Sequence, residues 1–275
     1  MAAFCPERAA LAFLYLKRTA LAAIVALFGF SNPAQAETEV DVALVLAVDI
    51  SFSMDMEEQA LQRAGFVKAF RSPEVQDAID RGLIGKIAVT YFEWAGAADQ
   101  YVVIPWTLID GPAAAIAFAD DLEARQIRRA RRTSISGAID MSLRLLDESG
   151  VVPMREVIDI AGDGPNNEGR MVTLARDEAV ARGVTINGLP IMLKRPGYLD
   201  INELDQYYVD CVIGGPGAFV IPVRESVQFP DAIRQKIIME IADLRPEQPL
   251  LHRAQARGEP DCLIGERQWR NRRFN

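Results

Sequence analysis

Residues 40–55 read VDVALVLAVDISFSMD, an apolar run that ends in Asp49 and then sets Ser51 and Ser53 at alternate positions. A strand that needs only a turn ends in Gly, Asn or Pro. Three small oxygen-bearing side chains at i, i+2 and i+4 point instead to something held. Farther along, VIDIAGDGPNNEG (157–169) ends a second apolar run in Asp163, and RRTSISGAIDMSL (131–143) puts Thr133 on the loop that opens a helix. Two carboxylates and three hydroxyls are hard oxygen donors, suited to a magnesium-like ion far better than to zinc. The bland reading of the first stretch is a helix cap, since Ser53 or Asp55 would serve the helix that follows.

The elements that must position these groups alternate along the chain. DVALVLAVD (41–49) is near-continuously apolar, as a strand covered on both faces should be. The segment after it carries Met56, Ala60, Ala64 and Val67 at helical spacing. KIAVTYFEW (86–94) and YVVIPWTLI (101–109) read as a hairpin of strands, with Pro105 marking the second as an edge. Helices are expected over 112–125, 134–149, 170–182 and 230–243, a short one near 200–209, and strands over 155–162, 183–191 and 217–223. This alternation predicts an α/β domain over 38–244, a doubly wound, mostly parallel sheet with one antiparallel edge strand. In such sheets ligands sit at the carboxyl ends of the strands, where the strand order reverses. With the common order 3-2-1-4-5-6, Asp49 and Asp163 would meet there.

Asp49-x-Ser51-x-Ser53, Thr133 and Asp163-Gly164 together resemble the metal-ion-dependent adhesion site of von Willebrand factor A domains and integrin I domains. The resemblance spans nearly all of 40–243. Stretches such as GDGPNN and DCVIGGPGAF (210–219) are similar to an uncharacterised family of exported bacterial proteins with this Rossmann-like domain. It implies that Asp49, Ser51, Ser53, Thr133 and Asp163 hold one Mg2+ or Mn2+ ion, some directly and some through water. It also implies an open position on the ion for an Asp or Glu of a partner protein. Two carboxylates balance the ion's charge, and neutral hydroxyls leave it electrophilic toward an incoming acid. Many relatives of this type carry Thr just before the later Asp, where this chain has Gly162.

Neighbouring features have two readings each. Glu93 and Trp94 either lie at the rim of the site or form an ordinary strand end with Trp94 under a loop. The RRARR run (128–132) either draws an acidic ligand toward the ion or is a solvated face paired with Asp120, Asp121 and Glu123. Asn166 and Asn167 are candidates to stand behind the ion's ligands, although the stretch lacks the acidic spacing of an EF-hand. IGGPG (213–217) precedes a predicted strand, which argues against a phosphate cradle. No Gly-x-Ser-x-Gly elbow or P-loop lysine pattern is present, and the one histidine, His252, falls near the C-terminus. The enzyme alternative is a metal-dependent hydrolase or phosphotransferase centred on Asp49, which would want a lysine near the ion. A structural domain with a vestigial site is the third reading.

Of the chain's residues, 50% are hydrophobic and 25% charged, the balance of an ordinary globular protein. Lys17 and Arg18, the apolar run 19–30 and the small-x-small Ala34-Gln35-Ala36 read as a secretory signal over 1–36, an uncleaved N-terminal anchor being the alternative. Cleavage would remove three basic residues and one acid, leaving 27 basic against 37 acidic side chains and a net charge of −10. That argues against nucleic acid and fits a periplasmic or extracellular protein with no integral membrane span in its mature form. Cys211 and Cys262 would then remain, either as a disulfide pinning the C-terminal segment back to the domain or as two thiols. Residues 245–275, with seven arginines against four acids, read as a tail.

Overall fold

The computed structural model describes residues 38–194, 201–242 and 260–272. The expected signal segment and His252 lie outside the described residues.

Five strands, β1 (Thr38–Asp49), β2 (Ile87–Trp94), β3 (Gln100–Ile109), β4 (Val151–Gly162) and β5 (Thr185–Pro190), form one sheet in the order β3-β2-β1-β4-β5. β1 runs parallel to both β2 and β4, β4 is parallel to β5, and only the edge strand β3 is antiparallel. The strand order reverses between β1 and β4, so Asp49 and the loop after Gly162 sit side by side at the carboxyl edge.

Strand alternation sorts the core into two halves. Val42, Leu44, Leu46 and Val48 pack on one face with Phe66 of α1 (Met56–Arg71), Ile79 of α2 (Pro73–Asp80), Phe118 of α3 (Pro112–Ala124) and Ile237 of α7 (Phe229–Ala242). Ala43, Val45 and Ala47 face the other way. They pack with Ile139 of α4 (Ile135–Asp147), Ala175 of α5 (Val172–Ala181) and a short helix, α6 (Leu204–Tyr207), that runs into a π-helical turn, Tyr208–Val212. Odd positions of β1 therefore face α4 to α6, and Asp49 inherits that side.

Two local features depart from the expected elements. α2 follows α1 after a single residue: Ser72 accepts a hydrogen bond from the Val75 amide at 3.3 Å, and Pro73 occupies the first helical position. The strand expected over 217–223 does not form. The chain there runs beside β5 and makes only isolated bridges, Gly188 to Val220 and Ile191 to Val223. Pro190 has no N–H to give to Ile221 O between these bridges, so a continuous ladder is interrupted there.

The C-terminal segment, read as a tail, contains a helix, α8 (Ile264–Arg272). It is joined to the π-helical turn by a Cys211–Cys262 disulfide with Cα atoms 5.5 Å apart. Among the described residues no helix is long and apolar enough to cross a membrane.

Candidate metal centre

The five candidate ligands converge from three segments. Asp49 closes β1 and is fully buried; its Oδ1 accepts the Ser51 amide at 2.6 Å, which curls the chain directly after the strand. That curl brings Ser51 Oγ within 2.7 Å of Ser53 Oγ. Ser53 Oγ donates to Asp163 Oδ1 at 2.6 Å, with Ser51 Oγ 3.5 Å from the same oxygen. Asp163 follows β4 and stands half-buried opposite β1. Thr133 comes from the loop before α4, which is pulled against the first segment by the Ala130 amide donating to Ile50 O at 3.0 Å.

Asn166 and Asn167 explain how Thr133 is held. The Thr133 amide donates to Asn167 Oδ1 at 3.0 Å, and the Asn167 amide donates back to Thr133 O at 2.8 Å. Fully buried Asn166 accepts the Ser136 amide at 3.0 Å, which ties the first turn of α4 to the Asp163 loop. Arg132, just before Thr133, has φ 76°, a left-handed backbone conformation rare for a residue with a Cβ. Such a conformation persists only where its surroundings fix it.

The electrostatics are those of a site short of positive charge. Burial, and then the like charge of Asp163, push the Asp49 carboxyl well above the usual carboxylate range. Its Oδ2 is buried with no hydrogen-bond partner, and among the described residues no lysine or arginine pairs with Asp49. Two acids and three hydroxyls gathered in this way fit a hard divalent cation.

Ser51, Ser53, Thr133 and Asp163 line a cleft of about 1290 Å³, whose walls include Arg131, Arg132, Lys194, Arg224 and Trp269, while Asp49 is buried and does not line it. Lys194 Nζ donates to Ser53 O at 2.8 Å and pairs with Glu58. The Arg132 guanidinium lies 4.0 Å from the Trp269 ring centroid, so α8 forms part of the cleft wall. Asn166 Nδ2 also donates to Glu266 Oε1 of α8 at 2.8 Å.

The structure places neither Glu93 nor Trp94 at the rim. Glu93 points to the opposite face of the sheet, where it forms a buried ion pair with Arg63 of α1, and burial raises its pKa despite that partner. Trp94 is fully buried among the residues of the α4 side. The acids expected to pair with the RRARR run pair elsewhere: Asp120 and Glu123 with Arg71, and Asp121 with Arg125. Arg129 reaches over the site loop to Phe52 O and Met54 O instead.

Two parts of the site escaped the sequence reading: α8, whose only trace was the paired cysteines, and Tyr208. The Tyr208 hydroxyl is fully buried and faces Asp49, and burial together with the Asp49 and Asp163 charges keeps it protonated.

Comparison with known proteins bears on the fold. Proximal thread matrix protein 1 from the mussel byssus superposes with a TM-score of 0.55 at 13% identity, over 75% of this chain and 49% of that one. A further crystal form of that protein, with a TM-score of 0.50, has a zinc-occupied MIDAS motif. The pilus adhesin SpaC from Lactobacillus rhamnosus GG gives a TM-score of 0.55 at 13% identity, over 76% of this chain and 31% of that one. A von Willebrand factor type A protein from Catenulispora acidiphila gives 0.50 at 14%, over 74% and 43%. The chain thus spans half or less of the length of each of these proteins. At such identities they establish the fold, that of a von Willebrand factor A domain. No curated protein matches the chain. Residues 39–245 match the family described as "Protein of unknown function (DUF1194)", and the chain belongs to that von Willebrand A-like family.

Proposed function

We propose that this protein is an exported interaction domain that holds one Mg2+ or Mn2+ ion through Asp49, Ser51, Ser53, Thr133 and Asp163 and uses it to bind an Asp or Glu side chain of a partner protein. One observation carries the reading. Fully buried Asp49, paired with no lysine or arginine among the described residues, meets Asp163 and three hydroxyls at the strand-order reversal, and Asp163 and the hydroxyls line an open cleft. A bound cation would supply the missing positive charge and a coordination position for the partner's carboxylate. Residues of the chain prepare the rest. Asn167 and Asn166 fix the Thr133 loop, the Ser51 amide orients Asp49, and Arg131 in the cleft wall favours an acidic visitor, Arg132 and Arg224 being paired with Glu168 and Asp205. The zinc-occupied motif of the mussel protein supports a divalent ion in this fold. The disulfide supports a compartment outside the reducing cytoplasm.

The test is binding of an Asp-containing peptide to the purified protein in Mg2+, in chelator, and with Asp163→Ala. Binding that needs both the ion and Asp163 is the expected result; binding indifferent to chelator refutes the reading.

One observation favours metal-dependent hydrolysis as a second reading: Lys194 stands beside Ser53 at the cleft. Its ammonium is already engaged by Glu58, so it is not poised to neutralise a phosphoryl group. Mg2+-dependent turnover of a phosphate ester that is lost in Lys194→Ala would reverse the preference.

A further inference from the structure

Tyr208 is fully buried, yet its hydroxyl has no hydrogen-bond partner among the described residues. A buried phenol O–H is normally paired, so its position needs a reason. A Cβ added at Gly162 would lie 3.0 Å from the Tyr208 hydroxyl and 3.0 Å from Asp49 Oδ2. The two oxygens therefore flank the same point above the end of β4, one a donor and the other an acceptor that likewise lacks a partner. A Cβ added at Gly188, on the neighbouring strand β5, would lie 2.6 Å from Tyr208 Cδ1. Two strands thus give up a side chain each where this one tyrosine lies. Glycine inside a strand often marks such a close approach. The backbone that delivers Tyr208 is a π-helical turn, a form concentrated at functional sites. It is held by the Ile213 amide donating to Tyr208 O at 2.9 Å and by the Cys211–Cys262 disulfide.

We infer that Tyr208 is a positioning residue of the cation site, its hydroxyl being the donor that fixes the Oδ2 side of Asp49 while the carboxylate serves the ion. Asp49 is anchored from the other side by the Ser51 amide on Oδ1, so the phenol supplies a restraint on the opposite oxygen of the same carboxylate. Hydrogen bonds of this kind often tighten only when the site is loaded. Gly162 is the counterpart of the arrangement: a side chain there would crowd the phenol and Asp49 alike.

The inference rests on the metal reading above, and its test separates the two. Mn2+ and Mg2+ affinities are measured by calorimetry for wild type, Tyr208→Phe and Gly162→Ser, beside melting in chelator. Partners that orient a ligand are worth about 10–100-fold in metal affinity, and Tyr208→Phe should weaken binding by that factor. Its melting in chelator should not fall, because the hydroxyl it removes is buried without a partner. Wild type should also show a metal-induced tyrosine difference spectrum that Tyr208→Phe lacks. Gly162→Ser should weaken binding as well, since its side chain crowds the phenol and Asp49. Wild-type affinity in Tyr208→Phe overturns the role of Tyr208 and leaves the metal reading standing. Failure of the wild type to bind either ion overturns both.

Discussion

Lys236 of α7 is fully buried, with Nζ 2.9 Å from Asp159 Oδ1 of β4 and paired with Glu240 one helical turn on. Asn187 of β5 donates to Glu240 Oε1 at 3.0 Å, and Arg155 reaches the Glu240 and Ile241 carbonyls from the strand end. Two buried acids thus share one ammonium. Burial first, opposed by Lys236 and reinforced by Asp159, pushes the Glu240 carboxyl from 4.5 up to about 7; Asp159 is raised as well, by burial. The two acids titrate as a pair, which holds a proton in the folded state that the unfolded chain has released. The sign follows. A raised acid costs nothing below its unfolded value, and its charged form destabilises the fold increasingly as pH climbs from about 4.5 to about 7. At about 1.4 kcal/mol per unit, the loss over that window is on the order of 3 kcal/mol. Glu240→Gln keeps the shape and the Asn187 and Lys236 contacts but removes the ionisation. Urea unfolding of both proteins across the window, in chelator so that the cation site is silent, gives the difference directly. The wild type should lose stability relative to Glu240→Gln by on the order of 3 kcal/mol as pH rises. Parallel profiles would refute the assignment of a shared proton to this pair.

Two further predictions follow from the same bookkeeping of charge and chain entropy. Arg63→Met leaves Glu93 buried without its counter-charge and should cost about 3–5 kcal/mol in urea unfolding, most of it recovered by adding Glu93→Gln. The Cys211–Cys262 bridge closes a separation of 51 residues, so Cys262→Ser should cost up to ~4 kcal/mol under non-reducing conditions. It should also change the fluorescence of Trp269, which the bridge holds against Arg132.

The sheet was legible in the sequence because its signals are local. The apolar runs ending at Asp49, Trp94 and Gly162 are strands, and Pro105 lies on the edge strand. The convergence of Asp49, Ser51, Ser53 and Asp163 could also be reasoned, since Asp49 ends one predicted strand, the serines follow it closely, and Asp163 comes directly after another. What escaped was set by partners far away in the chain. The apolar stretch 217–223 has strand composition, yet Pro190 on the facing strand removes a donor and interrupts the ladder. Glu93 has the position of a rim residue, but strand alternation turns it toward Arg63, thirty residues upstream. Tyr208 carries no local motif; its only trace is the pair of glycines, Gly162 and Gly188, that its ring and hydroxyl approach.

The central claim is that Asp49, Ser51, Ser53, Thr133 and Asp163 form a cation site, and calorimetric titration of Mg2+ and Mn2+ into wild type and Asp49→Ala tests it most directly. The account predicts saturable binding to the wild type at one ion per chain, a melting temperature that rises with free ion, and neither effect in Asp49→Ala. Binding of equal strength in Asp49→Ala would place the ion elsewhere. A wild type that takes up neither ion would contradict the site itself.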